Sequence, residues 1–148
     1  MMTLKSWSVC WGVAISSVLL FPSISRADVV AFLNGATVIE STSFKGESDH
    51  TVSGKVDIVK KDEVYYVVLG EDFSFDGAPD PRLGFSQEDI FLPMSVFSSL
   101  NLDSGQQIYR LPATLTINNY DEITIWCEKF RVPLAEAKFE VREEAQSP

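Results

Sequence analysis

His50-Thr51-Val52-Ser53-Gly54-Lys55-Val56-Asp57-Ile58-Val59-Lys60-Lys61-Asp62-Glu63-Val64-Tyr65-Tyr66-Val67-Val68-Leu69 opens with a period of two. His50, Val52, Gly54, Val56 and Ile58 fall on one face of an extended chain, and Thr51, Ser53, Lys55, Asp57 and Val59 on the other. That is the pattern of a half-buried strand. The polar Lys60-Lys61-Asp62-Glu63 then turns the chain into a β-branched and aromatic run, and the whole segment predicts a β-hairpin.

Downstream, residues 71–82 are rich in Asp, Gly and Pro and predict a long connection. Short strands are expected at 90–92, 107–111, 114–117 and 123–130. A last one follows, where Ala135, Ala137, Phe139 and Val141 alternate with Glu136, Lys138, Glu140 and Arg142. Only 29–39, cut by Asn34-Gly35, and 94–100, after Pro93, compete as helix. Many short strands separated by turn signals predict an all-β fold, an antiparallel β-sandwich or barrel-like domain. An immunoglobulin-type sandwich would want two cysteines flanking a tryptophan in the domain, whereas beyond residue 27 the chain has one tryptophan, Trp126, adjoining its one cysteine, Cys127.

The start of the chain fixes the expected compartment. Lys5 precedes an uncharged, mostly apolar run over 8–21, Pro22 breaks it, and Ser25-Arg26-Ala27 offers small residues where a signal peptidase reads. The run is about 14 residues, short of the ~20 that a spanning helix needs. Residues 1–27 are therefore expected to be a signal peptide, cleaved after Ala27, and the protein exported, periplasmic or secreted, without membrane insertion after cleavage. Cys10 leaves with the signal, and Cys127 remains without a disulfide partner in its own chain.

Removing Lys5 and Arg26 from a chain of formal charge −9 leaves −11 on the remainder, which has the length of one ordinary domain. Such a surface repels phosphate backbones and anionic lipid, which argues against nucleic-acid or membrane-surface partners. The acidic residues are interspersed with apolar ones and read as a solvated face. Cys-x-x-Cys and Cys-x-x-Cys-His are both missing, so dithiol exchange and covalent haem attachment are not expected.

Several pieces, in this order, resemble the DM13 domain. They are Phe44-Lys45-Gly46 with Asp49-His50 and Ser53-Gly54; Asp72-Phe73-Ser74 with Gly77-Ala78-Pro79-Asp80; Leu100 with Ser104-Gly105 and Gln107-Ile108-Tyr109-Arg110-Leu111-Pro112; and Tyr120-Asp121-Glu122-Ile123-Thr124-Ile125-Trp126-Cys127-Glu128-Lys129-Phe130-Arg131-Val132. The resemblance spans 42–139, and its last piece is the most specific. It implies an extracytoplasmic all-β module, often beside haem-binding or other redox domains. Electron transfer through the family's cysteine, as a bare thiol or as a ligand to a prosthetic group, is the role it implies. On it, Cys127 is that cysteine and His50 falls where bacterial members commonly carry a histidine. Ala78 interrupts the family's Gly-Pro-Asp triplet, and Val132-Pro133-Leu134-Ala135 replaces its Phe-Gly-rich ending. The organisation expected is a signal peptide over 1–27, a lead-in over 28–41, a DM13-like β domain over 42–142 and a polar tail over 143–148.

On regular strands His50 would share a face with Val52, Val56 and Ile58, and Cys127 one with Ile123 and Ile125, both toward apolar interior. A thiolate and an imidazole on facing strands could ligate haem iron or a transition metal, given further ligands. Equally, a free cysteine is among the most buried residue types and packs as a small hydrophobe. Asp72, Asp76 and Asp80 recur every four residues in a Gly-containing loop and are calcium candidates, or caps for local amides, without EF-hand spacing. A catalytic triad has no support. His50 is the only base, there is no Gly-x-Ser-x-Gly elbow, and a strand interior lacks the helix N-terminus or cation that activates a thiol. The expected function is electron transfer or redox sensing through Cys127, with His50 beside it and another redox protein or domain as partner. The alternative is an interaction module with an inert cysteine.

Overall fold

The computed structural model describes residues 26–140. The segment 1–25, which holds nearly all of the expected signal peptide, and residues 141–148, which hold the last two residues of the expected β domain and the polar tail, lie outside the described residues. Helix α1 (Arg26–Leu33) leads into β1 (Thr37–Ser43), β2 (Lys45–Gly46), β3 (Val52–Ser53) and β4 (Lys55–Lys61). Then come β5 (Val64–Leu69), β6 (Ser74–Phe75), β7 (Pro81–Gln87) and β8 (Ile90–Phe91). After a 3-10 turn (Pro93–Ser95) follow β9 (Ser98–Ser99) and β10 (Gln107–Arg110); after a second (Ile117–Asn119), β11 (Glu122–Cys127) and β12 (Val132–Lys138).

The expected hairpin is β4–β5. Asp62 and Glu63 both take positive φ, 47° and 63°, the left-handed pair that a two-residue turn needs to match strand twist. It forms the middle of an antiparallel sheet ordered β1-β4-β5-β10. A second antiparallel sheet runs β2-β12-β11-β7-β8, with β9 also on β7, and β3 and β6 make a two-stranded ladder. The two large sheets pack face to face. Val56, Ile58, Val67 and Leu69 of the first join Leu83, Phe85, Ile123, Ile125 and Ala137 of the second in one buried cluster. The domain is thus an antiparallel β-sandwich, and among the described residues no ladder closes the sheets into a barrel.

Both sheets are covered on their outer faces as well. Val59 and Val68 point away from the sandwich core yet are buried, under α1, where Phe32 meets Tyr66 edge-on at 4.8 Å and Lys61 donates to the Phe32 carbonyl. On the other side Phe91 lies over Gly84, where an added Cβ would stand 2.9 Å from its ring, and stacks on Trp126 at 4.4 Å. Ser95 Oγ accepts from Phe85 N at 2.7 Å and donates to its carbonyl, completing the pairing of a β7 residue buried mid-strand.

The differences from the expected elements have local causes. The run from His50 to Ile58 is not one strand. Gly54, at φ +114°, breaks it into β3 and β4, which belong to different sheets, because the Phe73 backbone crosses there. No strand forms over 114–117: a turn over 112–115, closed by Leu115 N to Pro112 O at 3.1 Å, runs on to the second 3-10 turn, which Ile117 opens. The strand expected over 123–130 stops at Cys127, where Arg131 N returns to the Cys127 carbonyl at 2.7 Å. Strand β7 was masked in the sequence by Pro81 and Gly84, residues that weaken a strand reading. The helix within 29–39 starts at Arg26 and ends before Asn34-Gly35, after which β1 begins. Within 94–100 only the 3-10 turn and β9 form.

Candidate functional site

Cys127 is the last residue of β11, between Pro81 of β7 and Val132 of β12. Ile123, Ile125 and Cys127 alternate onto the sandwich face and all three are fully buried, as the sequence pattern predicts. A bulge at Leu134 shifts the β11–β12 register between Ile125 and Trp126, so that Leu134 and Ala135 are both buried beside the cysteine end of the sheet. The thiol donates to the Pro79 carbonyl at 3.1 Å, and Glu128 N donates to the Asp80 carbonyl at 3.1 Å. The loop 76–80 is thereby fastened over the end of the cysteine strand.

His50 does not lie on a strand. It closes a turn, its own N–H returning to the Glu47 carbonyl at 3.0 Å, and it is only partly buried. Its Nδ1 is 2.8 Å from Asp76 Oδ1, and its ring packs 5.9 Å from Phe75. A carboxylate can only accept, so Nδ1 carries the hydrogen. The second Asp76 oxygen accepts from Thr51 N at 2.8 Å, and Asp76 N donates back to the Thr51 carbonyl. The Thr51 amide first, and then His50, hold the Asp76 carboxyl below its ordinary value of 3.8.

The two expected site residues therefore meet the same loop from different places: His50 through Asp76, and Cys127 through Pro79. Asp76 and Pro79 are three positions apart along the chain, so their Cα atoms stand no more than about 11 Å apart. The thiol is enclosed and donates to the Pro79 carbonyl, while His50 commits Nδ1 to Asp76 and keeps Nε2 as an acceptor. Among the described residues, no cluster of three acidic, His or Cys ligand atoms includes either of them.

The three loop aspartates are not brought together. Asp72 caps Lys55 N at 3.1 Å, Asp76 holds Thr51 and His50, and Asp80 pairs with Arg82 at 2.7 Å. Their spacing of four marks three separate backbone and side-chain anchors, the capping role open to such residues. Sequence reasoning missed the Pro79 carbonyl as the thiol's partner, since a backbone oxygen carries no residue-type signal. It also missed the Phe91 cover on Trp126, which joins residues 35 positions apart and leaves no local sign.

Residues 43–139 match the family model described as Electron transfer DM13. No curated protein and no solved structure matches the chain.

Proposed function

Because the chain belongs to the DM13 family, described as an electron-transfer domain, we propose that it works outside the cytoplasm as a thiol-based redox module. In this reading Cys127 is the reacting group, kept under the 76–80 loop until a partner uncovers it. The observation that carries the reading is that the loop capping the thiol is the one latched to His50 through Asp76. Outside the cytoplasm a lone thiol meets disulfides. Once uncovered and deprotonated, the Cys127 sulfur would attack a disulfide sulfur of a partner redox protein. The partner's S–S bond breaks as the mixed disulfide forms, and its other sulfur leaves as a thiolate.

The test is the alkylation rate of the folded protein, with a visible spectrum and a metal analysis of the same sample. Wild type should be colourless and react slowly. Asp76→Ala and His50→Ala should each react roughly tenfold faster without unfolding, as expected when hydrogen bonds holding a loop are removed. A visible band that Cys127→Ser bleaches would replace the bare thiol by a ligated one. A colourless, metal-free protein whose thiol reacts only at the rate of global unfolding, in the variants as in wild type, would overturn the redox reading. An interaction module that binds its partner through the acidic surface or the 71–82 connection would then stand.

A further inference from the structure

Glu122 opens β11 at the far end from Cys127, about 17 Å away at the usual strand rise. Although acidic, its side chain is only 2 % exposed. Oε1 accepts from Asp89 N, in the β7–β8 turn, at 3.1 Å and lies 3.8 Å from Lys138 Nζ. Oε2 is buried with no hydrogen-bond partner among the described residues. A buried carboxylate oxygen left unpaired costs more than any hydrogen bond it could have made would contribute.

Glu136 and Asp89 bring carboxylates to the same place. One ligand oxygen each from Asp89, Glu122 and Glu136 lie within 4.8 Å of one another. Asp89 and Glu136 also border an open groove of about 480 Å³ whose walls include Thr42, Lys45, Glu47 and Lys138. Lys138 pairs with Asp89, and Lys45 with Glu47 at 3.3 Å. Four carboxylates thus face two ammonium groups, a local excess of two negative charges when all are ionised. Burial and then Glu136 push the Glu122 carboxyl above its ordinary value; burial and then Glu47 push Glu136 up; Lys138 holds Asp89 down.

We propose that Asp89, Glu122 and Glu136 form a binding site for a hard divalent cation, Ca²⁺ foremost. The donors are all carboxylate oxygens, which select hard ions over thiophilic ones. Oxygens bound to one Ca²⁺ at 2.3–2.6 Å stand about 5 Å apart at most, so the three already have the required spacing. An ion here gives the orphaned Glu122 oxygen a partner, balances the local charge, and takes its remaining ligands from water in the groove. Lys138 is largely exposed and sits among the same carboxylates, so its ammonium competes with the ion and swings outward when the ion binds. The site is independent of Cys127, and its success or failure leaves the thiol reading untouched.

Metal-stripped full-length protein is titrated with CaCl2, MgCl2 and MnCl2 by calorimetry, with thermal melts in parallel. One Ca²⁺ per chain should bind, with Kd on the order of 10⁻⁵ to 10⁻³ M, and raise the melting temperature. Glu122→Gln, Glu136→Gln and Asp89→Asn should each weaken binding at least about tenfold, and Lys138→Gln should tighten it several-fold. Glu122→Gln without metal should melt no lower than wild type, since the amide carries no buried charge. Should it fail to fold, the two less buried variants provide the same reading. Wild type that shows neither heat nor a melting shift with any of the three ions at about 10 mM would overturn the proposal. So would unchanged affinity in Glu136→Gln and Asp89→Asn, which would place any binding elsewhere on the acidic surface.

Discussion

At Gly54 a single residue decides where one strand ends and another begins. Its φ of +114° and a Phe73 Cα 2.4 Å from where a Cβ would stand leave room for hydrogen alone. Gly54→Ala should lower stability by ~2–4 kcal/mol, from backbone strain and the forced displacement of Phe73 together. A denaturant titration checks this, and a loss under about 0.5 kcal/mol would contradict the close approach. Cys127 poses a different question, because its packing and its chemistry can be separated. Cys127→Ala should cost ~1–2 kcal/mol through lost burial and a small cavity, whatever the thiol does in redox exchange. The same variant abolishes any mixed disulfide, so stability and reactivity read the two roles independently.

Among the elements, the β4–β5 hairpin is built on unfavourable turn residues. Asp62 and Glu63 hold left-handed φ that Asn and Gly adopt more easily. Replacing Glu63 by Gly should therefore stabilise the domain by ~0.5–1 kcal/mol, since its exposed ion pair with Lys60 contributes little. A melt that moves down would show that the pair outweighs the backbone term. On the opposite sheet, the short β8 element exists to cover β7 and β11. Phe91→Ala should cost ~1–3 kcal/mol by uncovering Trp126 and the flat strip at Gly84, read as a lowered denaturation midpoint.

For the whole molecule, pH sets two opposed trends. Asp76 and Asp89 have folded values lowered below 3.8, so their contribution is present above that value and is lost as pH falls through their folded values. Both side chains are substantially exposed, which keeps this acid-side loss shallow and salt-sensitive. Glu122 and Glu136 have folded values raised above 4.5, so their ionisation weakens the fold as pH rises through those values and costs nothing well below 4.5. In metal-free buffer the melting temperature should therefore peak in mildly acidic solution and decline toward neutrality. Glu122→Gln should flatten that decline. A wild-type profile still rising from about pH 5 to 8 would contradict the sign.

Alternation in 50–59 and 135–139, the β-branched and aromatic run at 64–69 and the turn residues between such segments were enough to predict strands, a hairpin and an antiparallel sandwich or barrel-like fold. Each such segment must bury one face, and side-chain period alone says which. The inward position of Cys127 followed from its spacing to Ile123 and Ile125 in the same way. Period does not say which strands become neighbours or where two backbones cross. The break at Gly54, the strand from Pro81 to Gln87 and the displacement of His50 into a turn were decided by the Phe73 backbone, the pairing of β7 with β11 and the Glu47 carbonyl, none of them visible in the local pattern. The same holds for the sites. The Pro79 cap on Cys127, and the meeting of Asp89, Glu122 and Glu136 from one turn and two strands, exist only once β7, β11 and β12 are in register, because contact between residues remote in sequence is a property of the assembled sheet.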